Sequence, residues 1–117
     1  MEITLFKNSN TAETFPAGTA IFSEGDDPHD MMYVVVEGEV DIFVRGQRID
    51  TIGPGACLGE VGLVDKGPRS AAAIAKVDCK LEPIDAKRFQ FLVQNTPYFA
   101  LQVMQTLVER LRLCREH

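Results

Sequence analysis

The stretch that decides the fold of this chain is residues 55–75, which read GACLGEVGLVDKGPRSAAAIA. Residues 59–64 are predicted to form one or two helical turns after the turn at 53–55. The first N–H groups of such a helix have no partner within it, and together with the positive end of the helix dipole they favour a phosphate oxygen. Gly59 has no Cβ, so backbone and ligand can approach closely. The segment therefore predicts a site for a small anion.

Two charged side chains in the same segment extend this prediction. Pro68 presets the chain just ahead of Arg69, whose planar guanidinium can pair with two oxygens of one anion. A carboxylate beside a phosphate would be repelled, so Glu60 is expected to accept hydrogen bonds from neutral hydroxyls, such as those of a ribose. Together these residue types indicate a nucleotide that is held by its phosphate and its sugar.

Each residue also has a simpler interpretation. Gly59, Gly62 and Gly67 could be ordinary turn glycines. Glu60 and Arg69 could form a surface ion pair, which would contribute about 0 to 1 kcal/mol. The combination of all five residues in this order favours the nucleotide site over the separate explanations.

The order of residues resembles the phosphate-binding cassette of cyclic-nucleotide-binding domains. That cassette has Gly-Glu, a small or apolar pair, Leu, a short linker and then Pro-Arg-Ser-Ala. The nine-position separation of Glu60 and Arg69 is similar to that in kinase regulatory subunits and bacterial channels. The resemblance covers about residues 14–112 and implies a jelly-roll-type β-roll followed by two C-terminal helices. It implies that the ligand-binding residues are Leu58, Gly59, Glu60, Val61, Arg69, Ser70 and Ala71.

The resemblance also implies a role for each of these positions. Arg69 and the Ser70 hydroxyl would contact the phosphate, and the backbone N–H groups of Val61 and Ala71 would add donors. Leu58 stands where many members of the family have phenylalanine, and we expect it to pack beside the sugar and base. Cyclic AMP is favoured over cyclic GMP as the ligand, and no other cofactor is expected. Threonine at position 70 accompanies a preference for cyclic GMP in some eukaryotic members, so Ser70 leaves the base open.

Short β-prone segments between turn residues predict a β-sandwich or barrel, and the resemblance identifies it as a jelly-roll-type β-roll. Strands are expected at 19–23, 31–36, 40–44 and around residues 49–52, with Gly38 as the break between the second and the third. The alanines after Arg69 are assigned to a strand despite the helix preference of alanine. Cys79, Leu81 and Ile84 are assigned to the last strand. Pro83 in the last predicted strand indicates a sheet edge. We expect a single domain over residues 1–117, with the β-roll at about 11–85 and the helices at about 86–115.

The C-terminal helices are predicted from a change of apolar period from two to nearly four. Asp85 is expected to cap the first helix, and Thr96 the second, with Pro97 at its first position. The apolar stripe of the second helix consists of Phe99, Ala100, Val103, Met104, Leu107, Val108 and Leu111.

This stripe has two interpretations. It could pack wholly on its own barrel, as expected for Phe99 and Val103, or its outer half could meet the same helix of a second chain, as in the dimeric transcription factors of the family. Leu107, Leu111 and Cys114 are expected beyond the barrel edge. Arg110 and Arg112 could reach the base of the ligand, although an arginine near a helix C-terminus more often complements the helix dipole.

Composition excludes several other classes of protein. The chain has 117 residues and a formal net charge of −5, which argues against a nucleic-acid-binding surface. It has no apolar run of about 20 residues that would span a membrane, and no signal peptide at its start, so a cytoplasmic location is expected.

The three cysteines are widely spaced without a CxxC pair, which predicts neither disulfides nor zinc. His29 and His117 have no activated serine or cysteine nearby in the sequence, so an enzyme is not expected. The acidic residues at 26–30 lack the spacing of a calcium loop, so no metal site is expected.

The predicted function is therefore a receptor domain that signals through movement of its C-terminal helices. Its partner would be an effector protein or an effector domain outside this chain. One alternative is a sensor of another ligand on the same fold, such as haem, with Cys57 or His29 as the ligand to iron. A second is an interaction module that has lost its ligand. Gly59, Glu60 and Arg69 argue against that loss, because a vacated pocket has no reason to keep a charge without a partner.

Overall fold

Two antiparallel sheets and two helices make up the fold. The computed structural model describes residues 3, 5–27, 31–59 and 67–116, apart from the side chains of 111 and 113–116. The elements in the described ranges are β1 (Glu13–Phe15), β2 (Ala20–Phe22), β3 (Met31–Glu37), β4 (Val40–Val44), β5 (Gln47–Ile52), β6 (Cys57–Leu58), β7 (Ala72–Ala75), β8 (Cys79–Asp85), α1 (Ala86–Asn95) and α2 (Pro97–Glu116).

The strand order is β1-β8-β3-β6 in one sheet and β2-β7-β4-β5 in the other. Non-sequential neighbours of this kind require the chain to cross repeatedly between the sheets, which is the jelly-roll arrangement. Val35 of β3 is paired with Leu81 of β8, and Val40 of β4 with Ala75 of β7. The predicted β-roll with two C-terminal helices is confirmed.

The sequence of β3 is an almost continuous apolar run because both faces of the strand are buried. Successive side chains of a strand point to opposite faces of the sheet. Val35 therefore joins the cluster between the two sheets, with Val40, Ile42 and Leu81 among its members. Its neighbour Val34 belongs to a second cluster on the opposite face. Because both faces of β3 are covered, the strand shows no alternation of apolar and polar residues.

The second cluster, here called the helix-side cluster, lies where the helices cover the sheet. Leu92 of α1 and Phe99 and Val103 of α2 pack with Met32 and Ile84 of the strands. The Asp85 carboxylate accepts a hydrogen bond from the backbone N–H of Arg88 at 2.8 Å, so the predicted cap of α1 is confirmed. Burial of Phe99 and Val103 is confirmed as well.

Three expectations for the helices and strands have other outcomes. Leu107 packs against the helix-side cluster, so the prediction that it lies beyond the barrel edge is wrong. The side chains of Leu111 and Cys114 lie outside the described residues. The prediction that Pro83 marks a sheet edge is wrong for the strand as a whole, since β8 lies between β1 and β3. Pro83 is nevertheless beyond the residues of β8 that pair with β1.

Neither β1 nor β6, strands of three and two residues, was expected from the sequence. In the part of the chain that the structure describes, no helix has the length and apolar character that a membrane crossing requires.

Candidate ligand-binding site

The two ends of the predicted cassette come together in the structure. Leu58 ends β6 and is followed by Gly59, while Arg69, Ser70 and Ala71 lead into β7. Glu60 and Val61, together with most of the helix predicted over residues 59–64, lie outside the described residues. The contact between Gly59 and Arg69 therefore defines the candidate site.

The Arg69 guanidinium connects the ends of two strands. Its Nη1 donates to the carbonyl oxygen of Gly59 at 2.9 Å, and its Nη2 donates to the carbonyl oxygen of Met31, the first residue of β3, at 2.7 Å. Only 9% of Arg69 is exposed. A buried cation is costly unless polar groups compensate it, so this arrangement stabilises Arg69 at the site.

The backbone of Arg69 is fixed by the turn that follows β2. Its N–H donates to the carbonyl of Asp26 at 2.7 Å, and its carbonyl accepts from the N–H of Gly25 at 2.8 Å. The turn is itself closed by the Asp26 carboxylate, which accepts from the N–H of Ser23 at 2.9 Å. Backbone and side chain of Arg69 are thus both tied to strand ends.

Phe22, the last residue of β2, lies against the same guanidinium. The centre of its ring is 4.1 Å from the Arg69 Cζ, within the range of a cation–π contact. Phe22 is a site residue that sequence reasoning did not single out. It carries no local signal, because the two partners are distant in the chain and meet only through the pairing of β2 with β7.

Gly59 makes room for this arrangement. Its φ is +76°, and a Cβ at this position would lie 2.6 Å from Arg69 Nη1 and 3.3 Å from Phe22 Cε2. From the sequence, the absence of a Cβ at Gly59 was expected to let a ligand approach the backbone closely. The structure adds a second reason, which is that a side chain at position 59 would displace the Arg69 guanidinium.

The remaining predicted residues differ in exposure. Ser70 is exposed and Ala71 is half-buried. Both lie between Arg69 and the first residue of β7. Leu58 has no exposed surface and belongs to the cluster between the sheets. The prediction that Leu58 packs beside a sugar and base remains a prediction, and in this conformation the side chain supports the strand that carries Gly59.

The charge of Arg69 also affects the pKa of Tyr33, which lies two residues after Met31 on β3. Burial raises the pKa of the Tyr33 phenol, the nearby Glu13 carboxylate raises it further, and Arg69 opposes both. Tyr33 therefore stays neutral at physiological pH.

Helix α2 reaches the strand that leads into the cassette. The Arg110 Nη2 donates to the carbonyl oxygen of Cys57 at 2.6 Å. Among the strands that the structure describes, β6 is the outermost of its sheet. The sequence suggested either a contact with the base or a dipole interaction for Arg110. The structure places its side chain on β6, one residue before Leu58, whereas Arg112 is exposed.

The residues proposed for haem are not arranged as an iron site in the described part of the chain. Cys57 is completely buried in the helix-side cluster, and His29 lies outside the described residues. Across the described ranges, no three His, Cys, Asp or Glu side chains are grouped as a metal site would need.

The family model of the cyclic nucleotide-binding domain matches residues 12–96. This chain belongs to that family. The match includes the strands of the β-roll, the cassette and α1. The resemblance seen in the sequence is therefore confirmed, and a haem sensor or a module without a ligand is not favoured.

Similar proteins include two with curated names. A cAMP-dependent protein kinase regulatory subunit from Eremothecium gossypii is 37% identical over 87 residues, which is 74% of this chain and 19% of that protein. A cyclic AMP receptor protein from Thermus thermophilus is 34% identical over 103 residues, covering 84% of this chain and 47% of that protein. The chain thus spans less than half the length of either relative. Both relatives are regulatory or receptor proteins by name.

A solved structure extends the likeness over almost the whole chain. It comes from work on a cyclic-GMP-dependent signalling pathway that regulates bacterial phytopathogenesis. It has a TM-score of 0.76 and 29% sequence identity, and the match covers 93% of this chain and 92% of that one.

Proposed function

We propose that residues 1–117 form a single cytoplasmic receptor domain for a cyclic nucleoside monophosphate, that cyclic AMP is the preferred ligand, and that the domain is regulatory and not catalytic. The observation that carries the proposal is the Arg69 guanidinium, held in a buried position between Gly59 and Met31. A cyclic nucleotide phosphate has one negative charge, which a single arginine can neutralise. A guanidinium has five N–H donors, so one side chain has the capacity to serve both carbonyls and a phosphate.

The other predicted residues complete the site in this proposal. Ser70 and the N–H of Ala71 contact the phosphate, together with the backbone at Gly59 and Val61. Glu60 accepts from the ribose hydroxyl, and Leu58 supports the cassette beneath the sugar. The preference for cyclic AMP is supported by the two cAMP-named relatives, at 37% and 34% identity. The structure from the cyclic-GMP pathway, at 29% identity, makes cyclic GMP the necessary comparison.

Calorimetric titration with both nucleotides tests the proposal. We expect micromolar or tighter binding of cyclic AMP, and binding roughly ten- to a hundredfold weaker in Arg69→Ala, because a charge-assisted contact in a dry site is lost. Arg48→Ala is the matched control, since it removes one positive charge from an exposed side chain on β5. The melting temperature of each variant separates lost binding from lost structure. Absence of heat with either nucleotide, with no ligand-induced rise in melting temperature, would contradict the proposal.

The output in this proposal is a rearrangement of α2 that reaches an effector protein or an effector domain. The contact between Arg110 and the Cys57 carbonyl supports it, because it links α2 to the strand entering the cassette. A ligand that favours one position of the cassette then favours one position of the helix, which is a population shift. Hydrogen exchange of α2 with and without cyclic AMP tests this step, and equal exchange in both states would contradict it.

We also propose that α2 can pair with the same helix of a second chain. Leu101, Met104 and Val108 are 55%, 54% and 49% exposed. Their spacings of three and four residues are those of the a and d positions of a coiled coil. Phe99 and Val103 on the opposite face are buried, so the outer face remains available.

Sedimentation of wild type and Met104→Glu measures this pairing. A charge at Met104, in the centre of this exposed apolar face, should dissociate a dimer. Gln105→Glu changes the next, exposed residue and is the control for charge alone. A wild-type chain that stays monomeric at every concentration and in both ligand states would contradict the pairing.

A further inference from the structure

We propose that Phe22 is a positioning residue for the nucleotide phosphate, and that it acts by holding the plane of the Arg69 guanidinium. This inference rests on the proposed function, because it deepens the role of the same site.

The β2 strand and its turn hold Arg69 from two sides. The strand supplies the Phe22 ring at 4.1 Å from Arg69 Cζ. The turn that follows supplies the backbone bonds from Gly25 and Asp26. Phe22 is itself fixed by its pairing with Ala73 of β7 and by packing against the cluster between the sheets. The end of β2 and the turn that follows it therefore determine both where the Arg69 side chain begins and where its guanidinium lies.

Orientation matters because an arginine binds two oxygens of a phosphate only when its planar fork faces them. The side chain has several rotatable bonds and loses about 2 kcal/mol of rotamer entropy when it is fixed. Hydrogen bonds to Gly59 and Met31 place its two Nη atoms, and the ring restricts rotation of the plane about that line. A ligand that meets a preoriented guanidinium avoids part of this entropic cost.

The aromatic character of Phe22 is what the contact requires. The negative face of the ring attracts the cation, whereas leucine has similar bulk and no such face. Phe22→Leu should weaken cyclic AMP binding by about three- to tenfold. Phe22→Tyr keeps the ring face, so we expect it to bind within about twofold of wild type. Phe15→Leu is the matched control, because Phe15 is also a partly buried ring packed against the same cluster, with Tyr33 as its aromatic neighbour.

A double-mutant cycle distinguishes positioning from general support of the fold. Arg69→Gln removes the charge at similar length, and in that background Phe22→Leu should change the affinity for cyclic AMP by less than about twofold. A ring that only fills space would weaken binding equally in both backgrounds. Unfolding of the same four proteins without ligand measures the Phe22–Arg69 coupling in stability, independently of any nucleotide.

The outcomes separate this inference from the function on which it rests. It is supported if Phe22→Leu weakens binding in the Arg69 background only, if Phe22→Tyr recovers it, and if Phe15→Leu leaves it unchanged. Additive losses in the binding cycle, or unchanged binding by Phe22→Leu, would overturn it while the receptor function stands. A wild-type protein that binds neither cyclic nucleotide would overturn both, and the unfolding cycle would then report the ring contact as structural only.

Discussion

The guanidinium of Arg88 lies 2.7 Å from the carboxylate of Glu82, which has no exposed surface. The hydroxyls of Ser9 and Thr11 also donate to this carboxylate. Arg88 belongs to α1, Glu82 to β8, and the two hydroxyls to the segment before β1. A single buried anion therefore joins the start of the chain, the β-roll and the first C-terminal helix.

This network predicts a dependence of stability on pH. Burial raises the pKa of Glu82, but hydrogen bonds from Ser9, Thr11 and Arg88 and the charge of Arg88 outweigh burial and leave the pKa lowered. The folded state thus binds the proton less readily than the unfolded chain, whose glutamates have a pKa of about 4.3. The contribution of Glu82 to the free energy of unfolding is complete above that value and is lost as the pH falls through the lower folded pKa.

Glu82→Gln tests the network. We expect a loss of about 2 kcal/mol at neutral pH, less than for a fully buried pair, because the Arg88 side chain is 38% exposed and can be solvated. Denaturant unfolding between about pH 3 and pH 7 should show a shallower acid slope for the variant than for wild type. Glu37→Gln, at an exposed position of β3, is the control. Equal slopes for Glu82→Gln and wild type would show that Glu82 does not titrate as described.

Gly59→Ala should weaken ligand binding by more than its backbone strain alone would explain. A left-handed φ costs about 1 to 2 kcal/mol in a residue with a Cβ, and the new Cβ would also displace Arg69 Nη1. Gly46→Ala has the same strain at a φ of +79° with no neighbour within 4 Å. Both variants should lose stability through this strain, Gly59→Ala the more because it also displaces the buried guanidinium, whereas only Gly59→Ala should bind cyclic AMP about tenfold more weakly. Titration and thermal unfolding of the pair decide this, and equal affinities would show that Arg69 tolerates the methyl group.

Asp85→Ala should reduce the free energy of unfolding by about 1 kcal/mol, because the N–H of Arg88 loses its capping acceptor. Asp85→Ser keeps an acceptor oxygen and should restore most of that loss. Asp85 has an extended backbone, with φ −83° and ψ 176°, so helix-interior propensities do not apply to it and the difference between the two variants in thermal unfolding reports the cap. If serine is as destabilising as alanine, the bond to Arg88 contributes little.

The parts of the fold that sequence predicted are those with local causes. The Asp85 cap, the helical burial of Phe99 and Val103, and the break at Gly38 between β3 and β4 follow from residues within a few positions of each other. Gly38 has a φ of +94° and lies against Cys79, so a residue with a Cβ would not fit. Gly59 and Arg69 were also predicted as members of one site, because both belong to one segment with a characteristic order, but the hydrogen bond between them was not predicted.

Contacts between distant segments were not predictable in the same way. The Phe22 ring, the Met31 carbonyl and the Arg110 side chain reach the site through sheet pairing and helix packing. Glu82 looks in sequence like the exposed position of an alternating strand. Its burial depends on Arg88 and on hydroxyls that lie more than 70 positions earlier. Such partners are set by topology, which the order of apolar residues specifies only coarsely.

Arg110→Ala should weaken the response of α2 to the ligand. In the bond to Cys57, the charged Arg110 side chain of α2 donates to a carbonyl on the outer strand β6. Its loss should make amides of the second half of α2 exchange about tenfold faster. Cyclic AMP should then change that exchange much less than in wild type, because the cassette no longer contacts the helix through this side chain. Arg112→Ala, at an exposed position on the same helix, controls for the helix dipole and for net charge. A ligand response in Arg110→Ala as large as in Arg112→Ala would mean that α2 senses the cassette through other contacts.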